Sequence, residues 1–244
     1  MNVLPIEYIL GMASFLTSII AGVLGFGGGM LLIALLPLYL HPSTIIPIHS
    51  ITQLASNSSR MLFSITDVQW SLLPKFLAGS LLGIVLFGLL LANIPSTYIP
   101  VAIGLYILLN LWSSHFSNFI KRYENYYIIG LLQTGLGLIV GATGPIATTI
   151  LTKELACKNQ IIATSSMFMS ISHVAKILVF GFIGFSFLEH LSLLIYMVLG
   201  SIIGSFVGTK LRSLASNDHL LFIIKLLLSL FAIKMIAAVI TDYY

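Results

Sequence analysis

Long apolar stretches alternate with short polar connections along this chain, and glycines interrupt two of those stretches. The first runs from about residue 8 to residue 40, well beyond the about 20 residues that one membrane crossing needs. Inside it lies Gly25-Phe26-Gly27-Gly28-Gly29. Each glycine costs a helix about 1 kcal/mol relative to alanine, so the backbone is expected to open there, at membrane depth. Open backbone at that depth persists only where it is buried in protein or lines a watery cavity. A second break, Gly141-Ala142-Thr143-Gly144-Pro145, interrupts another apolar run. Pro145 suits the first position of a helix, and Thr143 and Gly144 stand where a cap belongs. Discontinuous helices of this kind point to a transporter's binding site. Glycines that only let helices pack closely give a similar pattern.

The pattern predicts helices over residues 6–24, 29–40, 44–64, 70–92, 97–113, 126–140, 145–152, 159–184, 190–210 and 219–241, with a polar linker over 114–125. This is an all-α integral membrane architecture of about eight transmembrane helices plus two glycine-broken, re-entrant half-helices. Trp70, Tyr98, Trp112, Tyr126, Tyr127, Tyr243 and Tyr244 fall near segment ends, as an interfacial aromatic belt places them. The two halves also match. A shift of 116 positions carries Gly25 onto Gly141, Gly28 onto Gly144, Ser50 onto Ser166, and Asn57-x-x-Arg60 onto His173-x-x-Lys176. A shift of 121 carries Gly79-x-x-x-Gly83 onto Gly200-x-x-x-Gly204. The chain is therefore expected to divide into a first membrane repeat, residues 1–114, a cytoplasmic linker, 115–125, and a second membrane repeat, 126–244.

Composition narrows the class. Of 244 residues, 58% are hydrophobic and 7% charged, against about 25% charged in soluble domains. The net charge of +4 is scattered among loops, which speaks against a nucleic-acid partner. Cys157 is the only cysteine, so no internal disulfide forms. The connecting basic residues set the orientation. If each broken run crosses the membrane once, Arg60, Lys75, Lys121 and Arg122 fall on one side and Lys153, Lys158, Lys210 and Arg212 on the other. If each run folds back at its break, all eight fall on one side, as the positive-inside rule requires. The second arrangement makes the repeats inverted and places both termini outside a cell membrane that the chain crosses several times.

Within the membrane, basic side chains are costly, about 2.5–3.5 kcal/mol at a helix centre. Arg60 and Lys176 stand at equivalent positions, each with a polar partner one turn earlier, Asn57 and His173, and Gln53 extends the first face. Snorkelling to the headgroups is the bland alternative, stronger for Arg60, which lies nearer its segment's end. Cationic side chains, amide donors and helix N-termini all favour an anion, and no matching set of buried carboxylates is present. The expected site joins Gly27, Gly28, Gly29, Gln53, Asn57 and Arg60 to Thr143, Gly144, His173 and Lys176. His173 is a candidate carrier of a coupling proton, and His49 is read as structural. No cofactor or metal is expected, no catalytic motif is evident, and the oligomeric state stays open. The reading is a secondary transporter of small anions. A passive anion channel and a non-transporting assembly subunit are the alternatives.

With those residues in view, the chain resembles the TauE/SafE family of membrane permeases, the sulfite exporters. The resemblance rests on Gly22-Val23-Leu24-Gly25-Phe26-Gly27-Gly28-Gly29-Met30-Leu31-Leu32, on Gly141 to Pro145, and on His173-x-x-Lys176. It covers essentially the whole chain. It implies transport of a small sulfur-containing or organic anion such as sulfite, thiosulfate or a sulfonate.

Overall fold

The computed structural model describes residues 5–122, 125–212 and 218–241. Among them all regular structure is helical: α1 Ile6–Leu24, α2 Gly28–Leu35, α3 Pro42–Leu62, α4 Leu73–Leu91, α5 Ile99–Trp112, α6 Ser114–Arg122, α7 Tyr126–Val140, α8 Pro145–Glu154, α9 Lys158–Phe182, α10 Leu191–Leu211 and α11 Asp218–Thr241. Tyr243, Tyr244 and the 213–217 part of the last connection lie outside the described residues.

Local chemistry accounts for the boundaries. Prolines open α3, α4, α5 and α8 within their first turn, where no amide donor is needed. Asn125 caps α7, its side-chain oxygen accepting from Tyr127 N at 2.9 Å. Gly25, at φ 88°, ends α1 in the left-handed conformation with its N–H on the Ala21 carbonyl. Gly141, also at positive φ (73°) but outside the left-handed helical region, ends α7 with its N–H on the Gly137 carbonyl.

Among the described residues, five helices are long and apolar enough to cross a membrane, and α5 with α6 makes a sixth if that bent pair is one span. The expected eight differ from this for physical reasons. The run α2 is a half-helix, and α7 stops at its break after 15 residues. The α3 helix carries twelve buried residues, among them His49, Gln53, Asn57 and Arg60, so it can be polar because protein surrounds it. The 114–125 stretch, read as a polar linker, is largely the helix α6, bent 89° from α5. Phe116 and Ile120, four residues apart, turn inward while His115 and Asn118 are exposed.

The layers follow burial. The α9 span is 67% buried and lies centrally, whereas the α4 and α11 spans are 22% buried and lie at the periphery. One apolar cluster gathers Leu32, Ile33, Ile46, Ile103, Met197 and Leu228 from both halves. Another centres on Phe76 and Phe168, whose rings stack at 4.0 Å, with Ile129 and Ile146.

Glycines set the tightest contacts. Gly200 and Gly204 of α10 lie against the backbone carbonyls of Gly11 and Phe15 in α1. Gly79 and Gly83 of α4 lie against those of Tyr127 and Leu131 in α7. A side chain at any of the four would strike a carbonyl, so only glycine permits this approach. The two contacts are one contact at shifted numbers: 121 carries Gly79 to Gly200 and 116 carries Gly11 to Tyr127. The same shift relates two hydroxyl pairs, Ser18–Ser56 and Thr134–Ser172, both at 3.0 Å. Both glycine pairings run parallel. In contrast, α5 and α11 run antiparallel, with Gly104 against Ala232 and Trp112 Nε1 donating to Ser229 at 2.8 Å. So do α3 and α9, where His49 meets His173, Ser58 meets Ser170, and Gln69, beyond α3, reaches Thr164.

Candidate functional site

The two breaks meet across the core of α2. A side chain on Gly141 would collide with Ile33, and one on Gly25 with Ile162, besides the strain of their positive φ. Between the breaks lies a small cavity, about 10 Å³, room for one water-sized sphere. Gly25, Phe26, Gly27, Gly29 and Met30 line it from the first break; Ala142, Gly144 and Pro145 from the second; Gln53, Asn57 and Arg60 from α3; Ala21 from α1; and Met169 from α9. None of these residues is acidic.

Six of the ten residues expected from the sequence therefore converge: Gly27, Gly29, Gln53, Asn57, Arg60 and Gly144. Arg60 is 2% exposed and does not snorkel. Its guanidinium donates to the Ala21 carbonyl at 2.9 Å and to Asn57 Oδ1 at 2.9 Å, and its Nε has no partner among the described residues. Asn57 thus spends its oxygen on Arg60, and its amide nitrogen donates to the Gln53 carbonyl at 2.8 Å. The Ala21 carbonyl is in the last turn of α1, where a cation complements the negative end of the helix dipole.

The other four stand back from the cavity. Gly28 faces α1, where a side chain would strike the Thr17 carbonyl, so it serves close packing. Thr143 does not cap α8; its hydroxyl donates to the Gln133 carbonyl at 2.7 Å. Lys176 donates to the Gly141 carbonyl at 2.5 Å, the counterpart of Arg60 on α1 but four residues, one helical turn, further into the break. His173 is buried with both ring nitrogens unpartnered among the described residues, 5.7 Å from the His49 ring.

Two contributors escaped the sequence reading, Met169 and Gln133, and the structure shows what His49, read as structural, holds. Met169 occupies the position equivalent to Gln53, and a methionine among apolar residues carries no local signal. Gln133 accepts the Ala147 N–H at 3.1 Å and so satisfies the start of α8 from inside the protein. His49 holds the Gly29 carbonyl at 2.9 Å and fixes the first break from α3. Among the described residues no three His, Cys, Asp or Glu side chains gather as a metal set would.

The arrangement is a small, carboxylate-free pocket at two helix breaks, with an incompletely bonded guanidinium in its wall. No curated protein and no solved structure matches the chain. Comparison with known protein families matches residues 10–235 to the sulfite exporter TauE/SafE family, a transporter family, and this multi-pass membrane protein belongs to it.

Proposed function

We propose that the protein is a secondary transporter of small sulfur-containing oxyanions in the cell membrane. The anion binds in the cavity between the breaks, against Arg60, Asn57 and Gln53 and the backbone of Gly27, Gly29 and Gly144. The observation that carries this reading is the buried Arg60 guanidinium, with an unpartnered Nε, in a wall that holds no acidic residue. A buried cation without a carboxylate favours an anionic ligand. Free amides where α2 begins add donors without a full charge. The cavity has no room for an oxyanion as it stands, which favours a gated transport cycle over an open channel. His173, buried with both ring nitrogens unpartnered among the described residues, is the proposed carrier of a coupling proton in this cycle.

The same reading makes residues 1–114 and 126–244 inverted repeats joined by the 115–125 linker. The antiparallel pairs α3–α9 and α5–α11 support it. If each broken run crossed once, equivalent helices of the two halves would run the same way. The labelling test uses Asn118→Cys and the native Cys157, both exposed and on either side of the second broken run, each as the single cysteine of its own variant. They are expected to react from the same side of the membrane; reaction from opposite sides would refute the inverted arrangement.

The function itself is tested with purified protein and a panel of sulfite, thiosulfate, sulfonates and carboxylates. Sulfur oxyanions are expected to raise the thermal midpoint and to show saturable flux in liposomes. Non-saturable flux would establish a channel instead, and no binding by any anion would remove the transport reading.

A further inference from the structure

A second hollow, about 670 Å³, has in its wall Arg212, which bonds to the last turn of α1 at Gly22. Its wall comes from the end of α3, the start of α9 and the end of α10, all elements that reach the polar connections. Lys158, Asn159, Lys210 and Arg212 line it, opposed by the single carboxylate Asp67. Arg212 is 8% exposed. Its Nε donates to the Gly22 carbonyl at 2.9 Å and its Nη1 to Asn159 Oδ1 at 3.1 Å. Its Nη2 is buried with no partner among the described residues. Arg212 and Arg60 thus grip the consecutive carbonyls of Gly22 and Ala21, Arg212 from the hollow and Arg60 from the cavity between the breaks. Burial lowers the Arg212 guanidinium from its ordinary value, and Asp67 works against that.

The start of α9 adds to this. Lys158 and Asn159 are its first two helical residues, and Cys157 before them makes no side-chain cap. The first amides of a 25-residue helix therefore face the hollow without a side-chain acceptor. An unsatisfied buried guanidinium donor, uncapped amides and two lysines on one hollow share a single preference, for oxyanions.

We propose that this hollow is a second anion-binding site, where a small oxyanion docks on Arg212, Lys158 and the α9 N-terminus before passing Arg60 into the cavity between the breaks. Its role as a loading site rests on the transport reading; its binding of an anion does not. The shift that relates α4 to α10 puts Leu91 opposite Arg212, so the other half has no counterpart and the loading site exists on one face only. By the distribution of basic residues that face is the cytoplasmic one.

The experiment is sulfite titration by calorimetry on the full chain in detergent. Gly144→Leu blocks the cavity between the breaks and is expected to leave one weaker binding event per chain. Adding Arg212→Gln should weaken that residual event by about tenfold or more, the scale of one charge-assisted hydrogen bond. Lys158→Gln with Lys210→Gln, both at the rim, should weaken it by about threefold with an unchanged thermal midpoint, on the scale of an exposed charge pair. This pair decides the matter if Arg212→Gln fails to fold. No residual binding in Gly144→Leu, or residual binding indifferent to the lysine pair, overturns the second site. If Gly144→Leu binds as wild type and the Arg212 and lysine variants abolish binding, the hollow stands and the cavity between the breaks is the reading that fails.

Discussion

The two breaks look alike in sequence and differ in what they leave unsatisfied. At the first, the chain passes through positive φ at both Gly25 and Gly27, and α2 starts without a side-chain cap. The cation that caps the preceding helix, Arg60, also reaches the cavity. At the second, only Gly141 has positive φ, and Gln133 supplies both an acceptor for Ala147 N and a carbonyl for the Thr143 hydroxyl. Its cation, Lys176, holds the Gly141 carbonyl and does not line the cavity. The lesson is one of division of labour. On the transport reading proposed above, two breaks of matching sequence divide into a binding wall at the first and a self-satisfied scaffold at the second, although each is held by a buried cation.

The largest expected effect breaks the comparison at its equivalent glycines. Gly28→Ala places a methyl on the Thr17 carbonyl, and neither backbone can yield, so a loss of about 3 kcal/mol or more is expected, the upper range of overpacking. Gly144→Ala places its methyl 2.8 Å from Met169 Sδ, the end of a flexible side chain. That variant is expected to fold and to weaken anion binding by about tenfold, about 1.4 kcal/mol. Thermal midpoints and binding on the same purified samples separate the two; equal destabilisation by both would show the breaks to be equivalent packing devices.

Next in size is the pair of cations. Arg60→Gln is expected to weaken binding by about 1.5–3 kcal/mol, with the thermal midpoint largely kept, since the Ala21 carbonyl retains the Gly25 N–H at 2.8 Å. Lys176→Met withdraws the donor from the Gly141 carbonyl and is expected to cost about 1–3 kcal/mol of stability, with a smaller effect on binding. The opposite ranking, binding lost with Lys176 and stability with Arg60, would move the anion to the α9 side.

The smallest effect sharpens the contrast at the second break. Gln133→Leu frees the Ala147 N–H and should cost about 1 kcal/mol, the scale of a lost helix cap. Anion affinity should change less than in Arg60→Gln. A larger change would mean that Gln133 shapes the binding wall after all.

Much of this protein was written into local sequence. Hydropathy marked nearly every helix within a few residues, because a segment's apolar run must match the medium it crosses whatever its neighbours are. The breaks were legible too: Gly25 and Gly141 adopt positive φ, a backbone choice made at single residues. The internal match was legible as paired motifs, and Gly79-x-x-x-Gly83 and Gly200-x-x-x-Gly204 do make matching contacts. What tertiary structure decided was rotation and partner. Whether Arg60 or Lys176 faces the cavity depends on how α3 and α9 turn about their axes, which residue spacing alone does not specify. Gly28 reads as an anion-contact glycine until α1 is placed against it, and Thr143 reads as a cap until the Gln133 carbonyl comes within 2.7 Å. The polar α3 stays within the bundle for the same reason. Its side chains are stable there only because other helices surround them, and that enclosure belongs to the assembled fold.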